Sequence, residues 1–424
     1  MTKKFSFRKV TKRQFLKTTA MGAGGLALGA LGFPTVLRAA KEPIIIGLTS
    51  DSTGFLASYG RDFERVAKGA VEYVNKIGGI AGRPVKLVIE DTASDPATGI
   101  RKFRRLVELE KCDFVLGSVH SGVCIGIAPM AKELKTPYFP SGMAMEITAE
   151  KGNRYVYRVI THVRQQVQAA YKFAMDNISK EWFICNTDYA WGWSHRDWFK
   201  KLVEEAGGKI TGVQNIPVGT KDFMPYLAKI PGDTKAIYFA TLGADTLGFI
   251  RQLQEIGYKG KKFSVICNYD GIDIGKLGTS VEGDWTLEYL PRTLADFDTP
   301  HHRMIREYAH IDAEGKEVGG TGVITGSHYW SKWEEIFFIK AGIEKSGWKS
   351  RKDMPDFIKA LEGLSVKEGH WFPQGSKTMR AEDHQAFPQM WLSRIEGGKL
   401  KTKFNIPPEK SIYPPPVDYR KESL

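Results

Sequence analysis

The sequence predicts an α/β protein made of two doubly wound units with parallel sheets. Short apolar runs alternate with amphipathic segments along the first part of the chain, and the alternation starts again near residue 158. Such alternation is typical of parallel sheets that carry helices on both faces. The length of 424 residues also exceeds what one hydrophobic core usually organises, so we expect at least two domains.

The first unit is predicted from residue 44 onwards. Its first helix shows apolar Val66, Ala70 and Val74 at helical spacing, and β-branched runs precede and follow it. The predicted strands are 44–48, 85–91, 114–117 and 138–140, and the predicted helices are 59–77, 98–110 and 123–134.

The second unit repeats this order without any fixed-period sequence repeat. Its predicted strands are 158–160, 182–186, 208–217, 236–240 and 263–268, and its predicted helices are 165–177, 192–205 and 245–256. Longer helices are predicted after residue 289, followed by one late strand; these helices are 300–312, 325–346 and 352–361, and the strand is 389–395. The tail at 405–424 contains five prolines and is predicted to lie extended on the surface.

Residues 1–40 have the composition of an export signal. They carry eight of the cations and no acid, and residues 18–36 form a Gly- and Ala-rich apolar stretch. The segment 11–17 resembles a twin-arginine signal with Lys12 in place of the first arginine, so the export route stays open. Cleavage is favoured over membrane anchoring because glycines and Pro34 interrupt a run that is already short for a bilayer. We therefore expect a periplasmic protein.

The composition excludes several function classes. Of the net charge of +13, eight positive charges belong to residues 1–40, and the +5 that remains is dispersed, which argues against nucleic-acid binding. No nucleophile elbow, phosphate loop, or metal-ligand motif occurs, so we expect neither catalysis nor a cofactor nor a metal. Cys112 and Cys124 flank a predicted strand whose length argues against a disulfide between them. Cys185 and Cys267 lie in apolar strands and are predicted to be buried thiols.

Several stretches together resemble a known family. In order along the chain they are 44–48 with Gly54 and Tyr59-Gly60, 78–84 leading into 90–92, 117–121, Ser141-Gly142, 188–192 and 383–385. Their order and spacing resemble the type I periplasmic binding proteins of the leucine/isoleucine/valine-binding kind, which serve ABC importers. The resemblance covers nearly all of residues 42–404.

The resemblance implies a two-lobed fold with a hinge of three crossovers. Lobe 1 would comprise 42–158 plus 290–379, and lobe 2 would comprise 161–288 plus 384–404. It also implies the partners, namely a small-molecule ligand and the permease subunits of an importer, and we expect a monomer.

The resemblance places a carboxylate site on lobe 1. Ser121 and the N–H groups of the helix it opens, beginning with Gly122, would hold the anion, although Ser121 could simply cap that helix. The loop after the next strand, which contains Met143 and Met145, would offer backbone groups. His120 is equally compatible with a ligand contact and with a structural role in its loop.

Rings and an acid would complete the site. Trp191 matches the family's aromatic position, and Tyr59 and Tyr269 are further candidates for enclosing an apolar group. Asp245 roughly matches the acid that takes an ammonium group, but it could instead serve only the start of its helix, and Asp270 is the competing candidate.

These residues predict capture of a branched-chain or other apolar amino acid between two closing lobes. An aromatic carboxylate or a short amide is the alternative ligand, because rings are dense around the predicted cleft. A ligand-sensing partner of a receptor is the less favoured alternative function.

Overall fold

The computed structural model describes residues 41–266, 268–320, 322–324 and 328–424. The predicted export signal, Cys267 and the first residues of the predicted helix 325–346 lie outside these ranges. The described cysteines, Cys112, Cys124 and Cys185, are buried free thiols. Within the described ranges no helix is both long enough and apolar enough to cross a membrane.

The first sheet has four parallel strands in the order β2-β1-β3-β4. Its central strand is apolar at nearly every position and is buried on both faces, as parallel strands between helices usually are. The strands are β1 (Ile44–Ser50), β2 (Val85–Asp91), β3 (Phe114–Leu116) and β4 (Tyr138–Phe139).

The second sheet has seven strands in the order β13-β12-β9-β8-β7-β5-β6. Its strands are β5 (Glu181–Thr187), β6 (Lys209–Ile216), β7 (Ala236–Ala240), β8 (Lys261–Val265), β9 (Trp285–Glu288), β12 (Met390–Glu396) and β13 (Lys399–Ile406). β5 to β9 are parallel, whereas β12 and β13 pair antiparallel at the edge. Two short strands, β10 (Ser365–Val366) and β11 (Lys377–Thr378), form a separate ladder.

Ten α-helices cover the sheets, and the two long helices of the first sheet's side, α1 and α9, pack against each other. The helices are α1 (Ala57–Lys76), α2 (Pro96–Glu108), α3 (Ser121–Glu133), α4 (Val163–Asn177), α5 (Ala190–Glu205), α6 (Met224–Leu227), α7 (Gly243–Glu255), α8 (Pro300–Tyr308), α9 (Tyr329–Ser346) and α10 (Met354–Leu361), counted over the described residues.

The chain passes between the two sheets three times, after β4, after β9 and after β11. The first and third passages touch, because the Arg158 N–H donates to the His384 carbonyl and the Ala386 N–H donates to the Arg158 carbonyl, both at 2.9 Å. This arrangement confirms the predicted fold class of two doubly wound units joined by three crossovers.

The structure corrects three expectations. The second sheet is mixed, because the hairpin β12–β13 adds antiparallel strands to its edge. β9, β10, β11 and β13 are strands that the sequence analysis did not predict, and the predicted strand 158–160 is instead part of the first crossover. The segment 405–424 is not wholly at the surface: Tyr413 and Tyr419 are buried, and the Tyr419 hydroxyl donates to the Ala149 carbonyl at 2.6 Å.

Candidate ligand-binding cleft

The loops that follow β1, β2 and β3 are joined by one buried acid. Asp51 follows β1 directly and is fully buried. Its carboxylate accepts hydrogen bonds from the Thr92 hydroxyl at 2.5 Å, the Ser118 hydroxyl at 2.7 Å and the Val119 N–H at 2.8 Å. Because the carboxyl ends of parallel strands meet at one edge, this network shapes the edge where a ligand would bind.

Helix α3 begins at this edge, and His120 is its cap. The Val123 N–H donates to His120 Nδ1 at 3.1 Å, so the imidazole and not Ser121 takes the capping role. The Ser121 hydroxyl oxygen accepts instead from the N–H groups of Met143 and Ala144, at 3.2 and 3.1 Å. These contacts place Ser121 beside the predicted carboxylate loop that contains Met143, and Gly122 follows Ser121 in the same helical turn.

A buried ion pair supports the loop after β4. The Lys332 ammonium donates to the Ser141 hydroxyl and to Glu335, both at 2.7 Å, and all three side chains are buried. Burial raises the pKa of Glu335 and lowers that of Lys332, while each charge favours the ionised form of the other. The position of Ser141 thus depends on charges carried by α9.

A row of rings joins the two sides of the cleft. Phe55 contacts His120 edge-on with ring centroids 5.3 Å apart, and both contact Tyr189 from the second sheet's side, at 5.8 and 5.4 Å. Trp191 extends the row at 6.0 Å from Tyr189 and is buried. Burial lowers the pKa of His120, so the imidazole is neutral and behaves as another flat, weakly polar ring.

A second group of rings lies around His328, which contacts an acid. Asp270, which follows β8, lies with its Oδ2 atom 3.5 Å from Nδ1 of His328 at the start of α9. The His328 ring contacts Tyr59 at 5.3 Å and Tyr289 at 5.7 Å, both edge-on. The Tyr289 hydroxyl also lies 3.4 Å from the Met143 sulfur, which connects this group to the loop after β4. Burial lowers the pKa of His328.

A cavity of about 650 Å³ opens between the two sides. The first side contributes Gly54, Phe55, Ala57 and Ser58, and the second side contributes residues from the start of α7 and from the loop after β8, including Asp270. The lining also includes Lys316, Gly322 and Val323. This volume suits a small solute, and such sites are usually mostly apolar with a few placed polar groups. No group of three or more side chains that could bind a metal ion occurs in the described ranges.

Within the described ranges, the cavity lining includes none of the nine predicted ligand-binding residues. Six of them take part in the loop and ring contacts described above, namely Ser121, Gly122, His120, Tyr59, Met143 and Trp191, and the other three lie elsewhere. Asp245 accepts the Gly219 N–H at 2.8 Å, and burial raises its pKa. Tyr269 packs inside the core of the second sheet's side, where its hydroxyl donates to Asp284 at 3.0 Å. Met145 is half-buried and begins a 3₁₀ turn. Of the two acids weighed from the sequence, Asp270 is therefore the one that lines the cavity.

Two cleft residues, Tyr289 and His328, were not selected from the sequence. Tyr289 stands where the chain leaves the second sheet, and His328 stands directly before α9. Neither lies in a recognisable motif, and both reach the cleft through contacts with residues far away in the chain. Only the position of His328 before a long helix is a local signal, and that position usually indicates a cap.

Two sheets connected by three crossovers, with a cavity and a row of rings where the two sides face each other, are the architecture of a two-sided solute-binding protein. The sequence profile described as periplasmic binding protein matches residues 43–399. The chain belongs to this family of periplasmic binding proteins. Such proteins bind small solutes and work with the permeases of ABC importers.

Named relatives include amino-acid binders. The Leu/Ile/Val-binding protein BraC3 of Rhizobium johnstonii is 31% identical over 371 residues, covering 85% of this chain and 94% of that protein. The leucine-, isoleucine-, valine-, threonine- and alanine-binding protein of Pseudomonas aeruginosa is 26% identical, covering 79% of this chain and 86% of that protein.

Solved structures show the same fold. The solute-binding protein of an ABC transporter from R. palustris, in complex with benzoate, has a TM-score of 0.74 at 20% identity, covering 86% of this chain and 97% of that one. The leucine-binding protein LivK from Thermotoga maritima has a TM-score of 0.72 at 21% identity, covering 86% of this chain and 99% of that one.

Proposed function

We propose that this protein captures a branched-chain or other apolar amino acid in the periplasm and delivers it, unchanged, to an ABC permease. The two sides of the cleft close on the ligand, and the lobes are residues 42–158 plus 290–379 and residues 161–288 plus 384–404. The protein acts as a monomer and reaches the periplasm through the signal in residues 1–40.

The placement of Asp270 carries the choice of ligand. Asp270 is a buried carboxylate that lines the cavity, and a carboxylate there suits an ammonium group, because opposite charges attract more strongly in a partly desolvated site than in water. On the first side, His120 contacts the cavity-lining Phe55, and the adjoining Ser121 and first turn of α3 would supply donors for a carboxylate. Tyr59 contacts His328 and Trp191 contacts Tyr189, so closure of the cleft would have to bring these rings to the ligand. Amino-acid binding by the named relatives supports the same choice.

An aromatic carboxylate is the second candidate. The row formed by Phe55, His120, Tyr189 and Trp191 offers flat surfaces to a ring, and structural neighbours were solved with benzoate and 4-hydroxybenzoate. This ligand would leave Asp270 without an ammonium partner, so the two candidates make opposite demands on that residue.

Binding measurements on Asp270→Asn separate the two candidates. The protein is unfolded and refolded to remove carried ligand, and then titrated calorimetrically with leucine, isoleucine, valine, benzoate and 4-hydroxybenzoate. For an amino-acid binder we expect Asp270→Asn to weaken leucine binding about 10- to 100-fold, because a hydrogen bond to a charged group contributes roughly 1.5–3 kcal/mol.

Asp273→Asn is the matched control, because Asp273 lines the same cavity but is exposed and lies beside Lys276. It should change leucine affinity less than about threefold. Binding of benzoate but not leucine, with benzoate binding unharmed by Asp270→Asn, would instead establish the aromatic carboxylate.

A further inference from the structure

Arg158 is a buried cation whose partners are all uncharged. It stands in the first crossover, and its side chain is completely buried. Its guanidinium donates to the Gln385 side chain at 2.7 Å, to the Gly142 carbonyl at 3.0 Å and to the Ala144 carbonyl at 2.7 Å. The guanidinium also donates to the Met145 carbonyl at 3.4 Å and to the Thr148 hydroxyl.

Two other buried cations on this side have acids beside them, whereas Arg306, like Arg158, donates to carbonyls. Lys332 pairs with Glu335, and Lys377 pairs with Glu334. Among the described residues no carboxylate lies within ion-pair distance of Arg158. Because desolvating a charge costs several kcal/mol unless an opposite charge compensates, the missing negative charge must come from outside the chain or remain uncompensated.

The carbonyls that Arg158 binds belong to the predicted carboxylate loop. In a trans peptide the N–H points opposite to the carbonyl, so the Arg158 contact with the Gly142 carbonyl turns the Met143 N–H away from the guanidinium. That N–H and the Ala144 N–H donate to the Ser121 hydroxyl oxygen. Since both oxygen lone pairs are occupied, the hydroxyl can act toward a ligand only as a donor.

We propose that Arg158 is the positioning residue that makes this site selective for a carboxylate over its neutral amide. The guanidinium orients the 142–145 loop and polarises the peptides that lead to Ser121, and the ligand's carboxylate supplies the negative charge that the fold omits. Arg158 does not touch the ligand. This inference rests on the proposed capture of a small carboxylate and names the group that determines it.

The proposal is tested by the selectivity ratio, which is the Kd of the amide divided by the Kd of the corresponding acid. Calorimetry gives the Kd of leucine and of leucinamide, and also of benzoate and of benzamide, for the wild-type protein and for Arg158→Met and Arg158→Lys. We expect Arg158→Met to reduce the preference for the acid over the amide at least tenfold. Arg158→Lys should retain part of the preference, because it keeps the charge but cannot contact all five acceptors.

Arg306→Met is the matched control. Arg306 is also buried and also donates to carbonyls, those of Pro291, Arg292 and Asp312, but it lies in α8 outside the carboxylate loop. Its replacement should lower Tm and leave the acid-to-amide ratio unchanged.

Equal weakening of acid and amide in the Arg158 variants would overturn the proposal, because a purely structural role affects both ligands alike. If Arg158→Met does not fold, the ratio in Arg158→Lys decides, and an unchanged ratio there also overturns it. A wild-type protein that binds neither leucine nor benzoate would refute the proposed function itself, and with it this role.

Discussion

The two walls of the cleft are braced in different ways. The first wall, formed by the loops after β1, β3 and β4, rests on ionisable side chains: the acid Asp51, the pair Lys332 and Glu335, and Arg158. In the second wall, formed by the loops after β5, β7 and β8, a buried cation supports the loop after β8: the Arg292 guanidinium donates to the Tyr269 and Ile272 carbonyls at 2.6 and 3.0 Å. The loop after β7 is held by an uncharged contact. There the Thr241 N–H donates to the Asn268 side chain at 2.8 Å.

This difference assigns different tasks to the walls. Buried charges with many partners hold a geometry tightly, because moving any partner leaves a charge unsatisfied. If the first wall binds the ligand's carboxylate as proposed, it does so as a preformed template. The second wall contributes Tyr189 and Asp270; because Arg292 holds the loop that carries Asp270, we expect the loop that carries Tyr189 to adjust more when the cleft closes.

The largest expected effect comes from breaking the ion pair under the first wall. Lys332→Met leaves Glu335 buried without its cation and should lower the free energy of unfolding by about 3–5 kcal/mol. The double variant Lys332→Met/Glu335→Leu should recover most of this loss, because apolar groups then replace the whole pair. Urea denaturation measures both. A single variant that loses under 1 kcal/mol would show that the first wall does not depend on this charge.

The pH dependence of the free energy of unfolding tests a buried acid at the base of the second wall. Glu288 on β9 is buried, accepts a hydrogen bond from the Ser393 hydroxyl, and has its pKa raised to about 7 by burial. Because the unfolded value is near 4.5, the native state retains a proton that the unfolded chain releases. The stabilisation from this group is complete below pH 4.5 and is lost as the pH rises through 7, by up to about 3 kcal/mol.

Glu288→Gln should remove this loss, because the amide cannot ionise. Unfolding free energies of wild type and variant at pH 4.5 and above pH 7 give the difference directly. Glu204→Gln, at an exposed position of α5, should retain the wild-type pH dependence. Identical pH profiles for wild type and Glu288→Gln would show that Glu288 ionises normally in the folded protein.

Most of the fold could be predicted because its signals are local. Apolar runs and amphipathic helices identified the strands β1 to β8 within a few residues. β9 was missed because it has only four residues after a turn-rich segment. β13 was missed although the left-handed Gly397-Gly398 pair before it is a hairpin signal. Its alternating lysines, among them Lys401 and Lys403, look like a solvated tail.

The site could be predicted only where it follows strand ends. Ser121, His120 and Trp191 stand beside predicted strands, so the topology alone brings them near the cleft. His328 gains its role from its contact with Asp270, and Arg158 gains its role from its contacts with the 142–145 loop. Both sets of contacts form only when the chain folds. A one-dimensional pattern does not contain such pairings, and the choice between Asp245 and Asp270 required the folded structure.

The smallest expected effect concerns Asp245 on the second wall. Asp245 lies at the start of α7, and within the ranges that the structure describes its carboxylate accepts a hydrogen bond only from the Gly219 N–H. Asp245→Ala should therefore lower the free energy of unfolding by about 1 kcal/mol and leave leucine affinity within about threefold of wild type. Denaturation and calorimetry on the same sample check both values. A loss of leucine binding as large as that of Asp270→Asn would mean that closure brings Asp245 to the ligand, and the second wall would then be the charged one.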